Sequence, residues 1–408
     1  MPGSEPRGVD PVRVVLIGAG QRGADTYGRA VTEAGPNIAR VVAVAEPDAT
    51  RRDRAAGRFG LAPEHRFASW EALLATVPAE PPAGGAAPGL AVIATPDHAH
   101  VAPAVAALRA GWHLLLEKPI APDADGVRTV ETAAREASGS VTVAHVLRHA
   151  PFFTALKRLL TQGAIGRAIG MDHVENVGFW HFAHAYVRGH WRRSDRAAPM
   201  LLAKACHDLD LLRWLADAPC DRVHSEGALR WFRPEHAPAG APERCSDGCP
   251  VQAACPFDAE RIYLRRFAGD AGWPRSVLAG DLDGDDAAVA DALTSGPYGR
   301  CVYRCDNDVC DHQTVTATFA NGFVATLTVT AFSEENTRTV RIFGTHGEIE
   351  GHLGTGRIAL HEFASGTTVR HDVAPADGHA DADRALLLDL LGRLRDGSGP
   401  GPTALATS

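Results

Sequence analysis

The stretch VRVVLIGAGQRGADTYGRAV, residues 12–31, constrains the fold more than any other. An apolar, β-branched run at 12–17 enters Gly18-Ala19-Gly20-Gln21-Arg22-Gly23 and leaves through a helix-like pattern over 25–34. A strand that turns into a helix through G-x-G-x-x-G suits a dinucleotide. Gly18 permits the tight turn, Gly20 lets a pyrophosphate approach the backbone, and Gly23 lets the helix sit against the strand. N–H groups at the helix start then face the phosphates, with Gln21 and Arg22 in the same turn. Glu46 ends the next strand roughly 20 residues on, where an acid grips the ribose hydroxyls and repels a 2′-phosphate. NAD is therefore expected over NADP, although Arg51 and Arg52 keep NADP open. The bland alternative for Glu46 is a solvated strand end.

The alternation continues. Strands are expected at 40–45, 90–94, 113–116 and 141–146, and helices at 51–59, 70–76, 100–111 and 123–137. The segment 78–89, PAEPPAGGAAPG, has the composition of an exposed loop. Buried strands alternating with helices mean an α/β Rossmann domain, a doubly wound parallel sheet, over 12–148. Beyond it, stretches such as GMDHVENVGFW, DRVHSEGALRWF and RTVRIFG alternate apolar with polar residues. They predict an α+β second domain over 149–395 with a large, mostly antiparallel sheet. QTVTATFANGFVATLTVTAF predicts a hairpin, with Asn321-Gly322 supplying two positive φ values. Helices are expected at 152–162, 200–215 and 385–395. The Cys-, Pro- and Gly-rich segment 233–312 reads as an irregular excursion, and residues 1–11 and 396–408 as flexible ends.

The 408 residues carry a formal net charge of -8, which argues against nucleic acid or an anionic membrane as partner. No apolar run approaches the roughly 18 residues of a membrane helix. The segment MPGSEPRGVDP lacks the pattern of an export signal, so the eight cysteines are expected to be reduced thiols in a cytoplasm.

Two further motifs, TPDHAH (95–100) and HLLLEKPI (113–120), lie at the carboxyl ends of expected parallel strands, where open α/β sheets bind ligands. With the glycine turn, Glu46, KACHDLDLLRWL (204–215) and RIFGTHGEIEG (341–351), they resemble the Gfo/Idh/MocA family over nearly the whole chain. The resemblance implies an NAD(P)-dependent oxidoreductase acting on a secondary alcohol or ketone of a sugar, cyclitol or related polyol. It also implies a homo-oligomer formed through the second-domain sheet. Thr95, Pro96, His100, Glu117 and Lys118 take the cofactor positions of the family motif. Lys118 matches its catalytic lysine, often joined to the following proline by a cis bond, and His207 matches the histidine that touches the reacting hydroxyl.

Chemistry agrees with that assignment, since alcohol oxidation sends a hydride to the nicotinamide and a proton to a base. A lysine becomes a better base when partial burial beside a positive ring lowers its pKa. The chain departs from the family pattern at Ala203, where many members carry aspartate. Lys204, on the same expected helix face as His207, is then the helper of the proton relay. Asp210 either orients the His207 ring or is a structural acid.

FWHFAHAYVRGHWRR (179–193) mixes aromatics with donors, which suits a polyhydroxylated ring. His184 and Arg188 are its foremost substrate candidates, joined by His145 and Arg148 after the last Rossmann strand; an ordinary packed or solvated role is the alternative for each. Cys245, Cys249 and Cys255 could furnish a structural zinc, without the paired C-x-x-C spacing that would make the signal specific. The set 301, 305 and 310 lies in the same excursion. Competing functions are an NAD-recycling glycosidase, which oxidises, eliminates and re-reduces without net NADH release, and a non-catalytic dinucleotide sensor.

Overall fold

The computed structural model describes residues 10–79, 89–279, 285–375, 380–398 and 401–405. The chain divides into two units, one of residues 1–158 with 376–408 and one of residues 159–375.

In the first unit, β1 (Val12–Ile17), β2 (Ala39–Ala45), β3 (Arg66–Phe67), β4 (Gly89–Ile93), β5 (His113–Leu116) and β6 (Val141–Val143) form one parallel sheet. Their order is β3-β2-β1-β4-β5-β6. The strand order therefore reverses beside β1, and the crevice between β1 and β4 is where doubly wound sheets take ligands. Val15, Ile17, Ala91, Ile93, Leu114 and Leu116 are buried, as are Leu73, Ala104, Leu108 and Val130 from the covering helices.

Local chemistry sets the helix ends. Asp48, Ser69 and Asp123 accept from the backbone N–H of Arg51, Ala72 and Gly126, capping Ala49–Phe59, Trp70–Thr76 and Ala124–Glu136. Gly60 closes the first of these at φ 63°. The helix after the glycine turn starts earlier than its apolar pattern suggests: Gln21–Gly28 is π-helical and Arg29–Ala34 is α-helical. β6 stops at Val143, and Val146–His149 turns into a 3₁₀ segment. Of the expected loop 78–89, residues 80–88 lie outside the described residues, as does most of the expected flexible N-terminus.

Two expectations at the C-terminus are corrected. The last helix, Ala380–Asp396, belongs to the first unit and not to the second domain, because Asp383 within it is held by Arg22. Part of the expected flexible tail is ordered: Ala404 forms an antiparallel bridge with Thr142, and Val143 donates to Thr403 at 2.9 Å.

The second unit carries β7 (Ala168–Gly178), β8 (Cys220–Ala228), β9 (His312–Phe319), β10 (Val324–Ser333), β11 (Thr337–Gly344), β12 (Gly347–His352), β13 (Arg357–Glu362) and β14 (Thr368–Arg370). They form one sheet in the order β14-β13-β12-β11-β7-β10-β9-β8. All neighbours are antiparallel except β7 and β10.

The β9–β10 turn is a correction in detail. Only Gly322 has a positive φ (83°), and Gly322 N–H donates to Phe319 O at 2.8 Å. This is a three-residue connection with glycine in the left-handed position, where a two-residue turn was expected. Asn321 serves instead through its side chain, accepting from Phe323 N–H and donating to Ala216 O. The expected helix 200–215 is also broken, into Met200–Ala203 and Cys206–Ala216, because Ala205 opens to ψ 9°.

Candidate functional site: a dinucleotide cradle and two buried polar networks

The three glycines of the turn meet different constraints. Gly18 has φ 93°, and a Cβ there would sit 2.4 Å from Ala94 O. A Cβ on Gly23 would lie 1.9 Å from Gly18 O, so only glycine lets the helix close on the turn. Gly20 is the opposite case, with φ -76° and nothing within 4 Å of a Cβ. The fold itself does not require glycine at position 20, and the open space over its backbone suits an incoming pyrophosphate. Gln21 is exposed at this opening.

Glu46, directly after β2, is buried beside the turn. Its Oε2 accepts from Ala19 N–H at 2.9 Å, while Oε1 accepts from Asp48 N–H at 3.0 Å and from Arg51 at 2.8 Å. Burial would raise its pKa, but the bonds from Arg51, Ala19 and Asp48 outweigh that and hold it below the ordinary value. It is an ionised carboxylate fixed at the edge of the cradle, a fit for ribose hydroxyls.

At the end of β5, Glu117 is buried and Lys118 follows through a cis Lys118–Pro119 bond. Glu117 Oε1 accepts from Arg22 Nε at 2.5 Å and from the Tyr27 hydroxyl at 2.9 Å, and Oε2 accepts from Lys118 N–H at 2.9 Å. Burial opposes its charge, yet Arg22 and Lys118 prevail and bring its pKa down to about 2. Arg22 also grips Asp383 with both terminal nitrogens, at 2.8 and 2.6 Å. Its guanidinium is therefore engaged by protein groups.

The loop after β4 is tied to the same place. His100 is buried, with Nδ1 2.7 Å from Pro119 O and Nε2 2.9 Å from Thr95 O. Thr95 Oγ1 donates to Ala99 O. His100 thus ties the Thr95 loop to the backbone beside Lys118. His145 and Arg148 are buried just past β6, and Arg148 donates to Pro402 O.

In the second unit, His207 lies buried on the helix Cys206–Ala216, next to a second polar network. Asp208 accepts from Arg338 at 2.7 and 3.1 Å and pairs with His173 Nε2 at 2.7 Å. Arg338 also meets Glu175 at 2.8 Å, and Lys204 Nζ lies 2.9 Å from the other oxygen of Glu175. Burial opposes the charge on Asp208, but Arg338 and His173 hold its pKa below the ordinary range. Lys204 is therefore an ion-pair partner of β7 on the turn before the His207 helix. Asp210 is buried one turn beyond His207.

His184 and Arg188, on Ala183–Arg188, pack against the excursion. His184 shares a 2.9 Å hydrogen bond with the Tyr263 hydroxyl and stacks on Tyr298 at 4.7 Å. Burial and the nearby Arg188 bring its pKa down to about 3. Arg188 has no exposed surface and donates to Arg300 O and Phe257 O at 2.7 Å each. Both side chains are buried and engaged by protein groups in this arrangement. Cys245, Cys249 and Cys255 are free thiols in the same region.

Tyr27, Asp383, His173, Glu175, Asp208 and Arg338 were missed by sequence reasoning. The strand supplies a signal for two of them: His173 and Glu175 occupy inward positions of β7 between Met171 and Val177, where a one-faced strand ordinarily carries apolar groups. Asp383 carries no comparable sign.

Family comparisons agree with this architecture. Residues 12–145 match the Gfo/Idh/MocA model described as an oxidoreductase family NAD-binding Rossmann fold, and residues 157–406 match that family's C-terminal alpha/beta domain. Among curated relatives, the chain is 26% identical to "Putative oxidoreductase YteT" of Bacillus subtilis, over 65% of this chain and 60% of that one. It is 31% identical to inositol 2-dehydrogenase of Streptomyces avermitilis, over 56% and 59%. The chain thus spans about 60% of the length of these relatives. Among solved structures, levoglucosan dehydrogenase in complex with NADH superposes with a TM-score of 0.67 at 19% identity, covering 98% of this chain and 93% of that one. An Agrobacterium radiobacter oxidoreductase in complex with NAD+, L-tartaric acid and magnesium gives 0.65 at 17%, covering 97% and 92%. With both domain models matched across most of its length, the chain belongs to the Gfo/Idh/MocA oxidoreductase family.

Proposed function

We propose that this protein is an NAD-dependent dehydrogenase that interconverts a secondary alcohol and the matching ketone on a sugar, cyclitol or related polyol. The observation that carries this reading is the pairing of a dinucleotide cradle, Gly18–Gly23 with Glu46, with a lysine whose backbone N–H is bonded to Glu117 at the carboxyl end of β5. Gly20 leaves the backbone open to the pyrophosphate, and Glu46 receives the adenosine ribose hydroxyls. When bound, NAD supplies the hydride acceptor. Lys118 receives the hydroxyl proton, and Glu117, anchored by Arg22 and Tyr27, fixes the backbone from which Lys118 projects. His207 is the second proton-handling group, as the family resemblance implies, and Lys204 with Glu175 sets the turn that precedes it.

Relatives named for inositol, levoglucosan and 1,5-anhydro-D-fructose support a polyhydroxylated ring as substrate class. The resemblance further implies a homo-oligomer through the eight-stranded sheet, in keeping with the exposure of β8 along its length.

The test is absorbance at the NADH band while inositols, anhydrosugars, hexoses and glycosides are offered with NAD. Stoichiometric NADH with one polyol class supports the proposal. Glycoside cleavage without NADH release, or no binding of either nicotinamide dinucleotide, overturns it.

A further inference from the structure

We propose that Cys245, Cys249, Cys255 and Cys301 together hold one tetrahedral metal ion, zinc by ligand chemistry, at the root of the excursion 233–312. These four thiols line a single cavity of about 20 Å³. That is room for about one water-sized sphere. The fourth ligand is invisible in sequence, because Cys301 lies well beyond the other three.

Backbone pairing brings it in. Cys245 N–H donates to Gly299 O at 3.0 Å, Cys301 N–H donates to Glu243 O at 2.8 Å, and Arg244 and Arg300 form the bridge between them. Cys249 and Cys255 arrive on a compact turn in which Gln252 N–H donates to Cys249 O and Cys255 N–H to Val251 O.

Arg188 is the independent observation. This cation has no exposed surface, and its described bonds run to two carbonyl oxygens, to Cys245 Sγ at 3.7 Å and to the Tyr263 hydroxyl. None of those partners is a carboxylate; the buried Asp258 lines the same cavity but does not bond to Arg188, and a buried charge needs a compensating one. Four thiolates around a divalent ion carry a net charge of about -2 and supply it. On binding, each thiol loses its proton to solvent and its sulfur forms a bond to the metal.

Among the described residues, the trio of candidate ligand atoms lying within 4.8 Å of one another is Glu348, Glu350 and His361, not a set of these sulfurs. No three of these sulfurs stand within 4.8 Å of one another, so ligation at the Zn–S distance of about 2.3 Å requires them to close inward. Soft thiolates select zinc over magnesium or calcium, and four protein ligands leave no open position, so the ion is structural.

The experiment is elemental analysis of the full chain purified without chelator. About one zinc per chain and no acid-labile sulfide is expected. A mercurial that titrates thiols should release that zinc into a colorimetric indicator from the unmodified protein, which keeps the test independent of variant folding. Cys301→Ser and Cys245→Ser should lose the metal, whereas Cys220→Ser, on exposed β8, should retain it. Less than about one-tenth of a metal per chain even after dialysis against zinc, a disulfide among the four by mass spectrometry, or iron with labile sulfide would each overturn the assignment.

Discussion

Arg22 and Glu117, 95 residues apart in sequence, close a 2.5 Å ion pair that joins the helix after β1 to the end of β5. Glu117 is buried, while the Arg22 side chain is 35% exposed. Removing the guanidinium strands a buried carboxylate next to Asp383. Breaking such a pair costs about 3–5 kcal/mol when fully buried, and partial exposure of Arg22 reduces this to about 2 kcal/mol. Arg22→Ala should therefore lower unfolding stability by about that amount in denaturant titrations, and Arg22→Lys should restore only part of it because the bidentate grip on Asp383 is lost.

Gly20→Ala and Gly23→Ala should separate binding from folding. Position 20 has free space and an ordinary φ, so its alanine variant should keep native stability yet lose at least about tenfold in NAD affinity, as expected when a backbone bond to a charged phosphate is disturbed. Position 23 abuts Gly18 O, so its alanine variant should unfold at lower temperature whether or not NAD is added. Calorimetry with and without cofactor reads both.

Glu46→Ala should weaken NAD by about 10- to 100-fold, the worth of hydrogen bonds to a charged acceptor. It should also free Arg51, now 2.8 Å from Glu46, to meet a 2′-phosphate. Titration calorimetry should show the NAD-to-NADP preference narrowing or inverting, and an unchanged ratio would contradict this role.

Lys118→Met should reduce turnover by about 10²–10⁴-fold, the range of a general base, while leaving the dissociation constant for NAD near its native value. Because the Glu117 bond is to the backbone N–H of residue 118, the substitution leaves that anchor in place. Stopped-flow NADH formation and cofactor fluorescence make the comparison.

Acid should weaken the two units in different pH windows. The folded pKa of His184, about 3, lies below its ordinary 6.5. The unfolded chain therefore takes up that proton first, and stability present above pH 6.5 declines as pH falls towards 3. Glu117 drops from 4.5 to about 2, so its contribution is complete above pH 4.5 and is lost only as pH falls towards 2. Each proton contributes a slope of at most about 1.4 kcal/mol per pH unit. His184→Asn should flatten the upper window and Glu117→Gln the lower one in pH-dependent denaturation.

Local chemistry was legible wherever the reason for a residue lies within its own turn or strand. The limits of β1 and of the helix Trp70–Thr76 follow from β-branched runs and a serine cap, and Gly18 and Gly23 follow from steric contacts within one strand–turn–helix unit. Substrate candidates were harder. An alternation of aromatics with histidine and arginine looks the same whether those donors face a ligand or, as with His184 and Arg188, a neighbouring tyrosine and backbone carbonyls.

The amino-acid order thus determined the glycine cradle, its ribose acid, the Lys118 motif and the alternation that makes a doubly wound sheet, since backbone sterics and strand or helix periodicity act over a few residues. Folding in three dimensions decided that Asp383 returns to clasp Arg22, that Lys204 is drawn to Glu175, and that Cys301 comes beside Cys245. Those pairings depend on which distant charges and backbone edges are buried together. Burial is a property of the packed chain, because desolvation makes an unpaired charge costly only once water has been excluded.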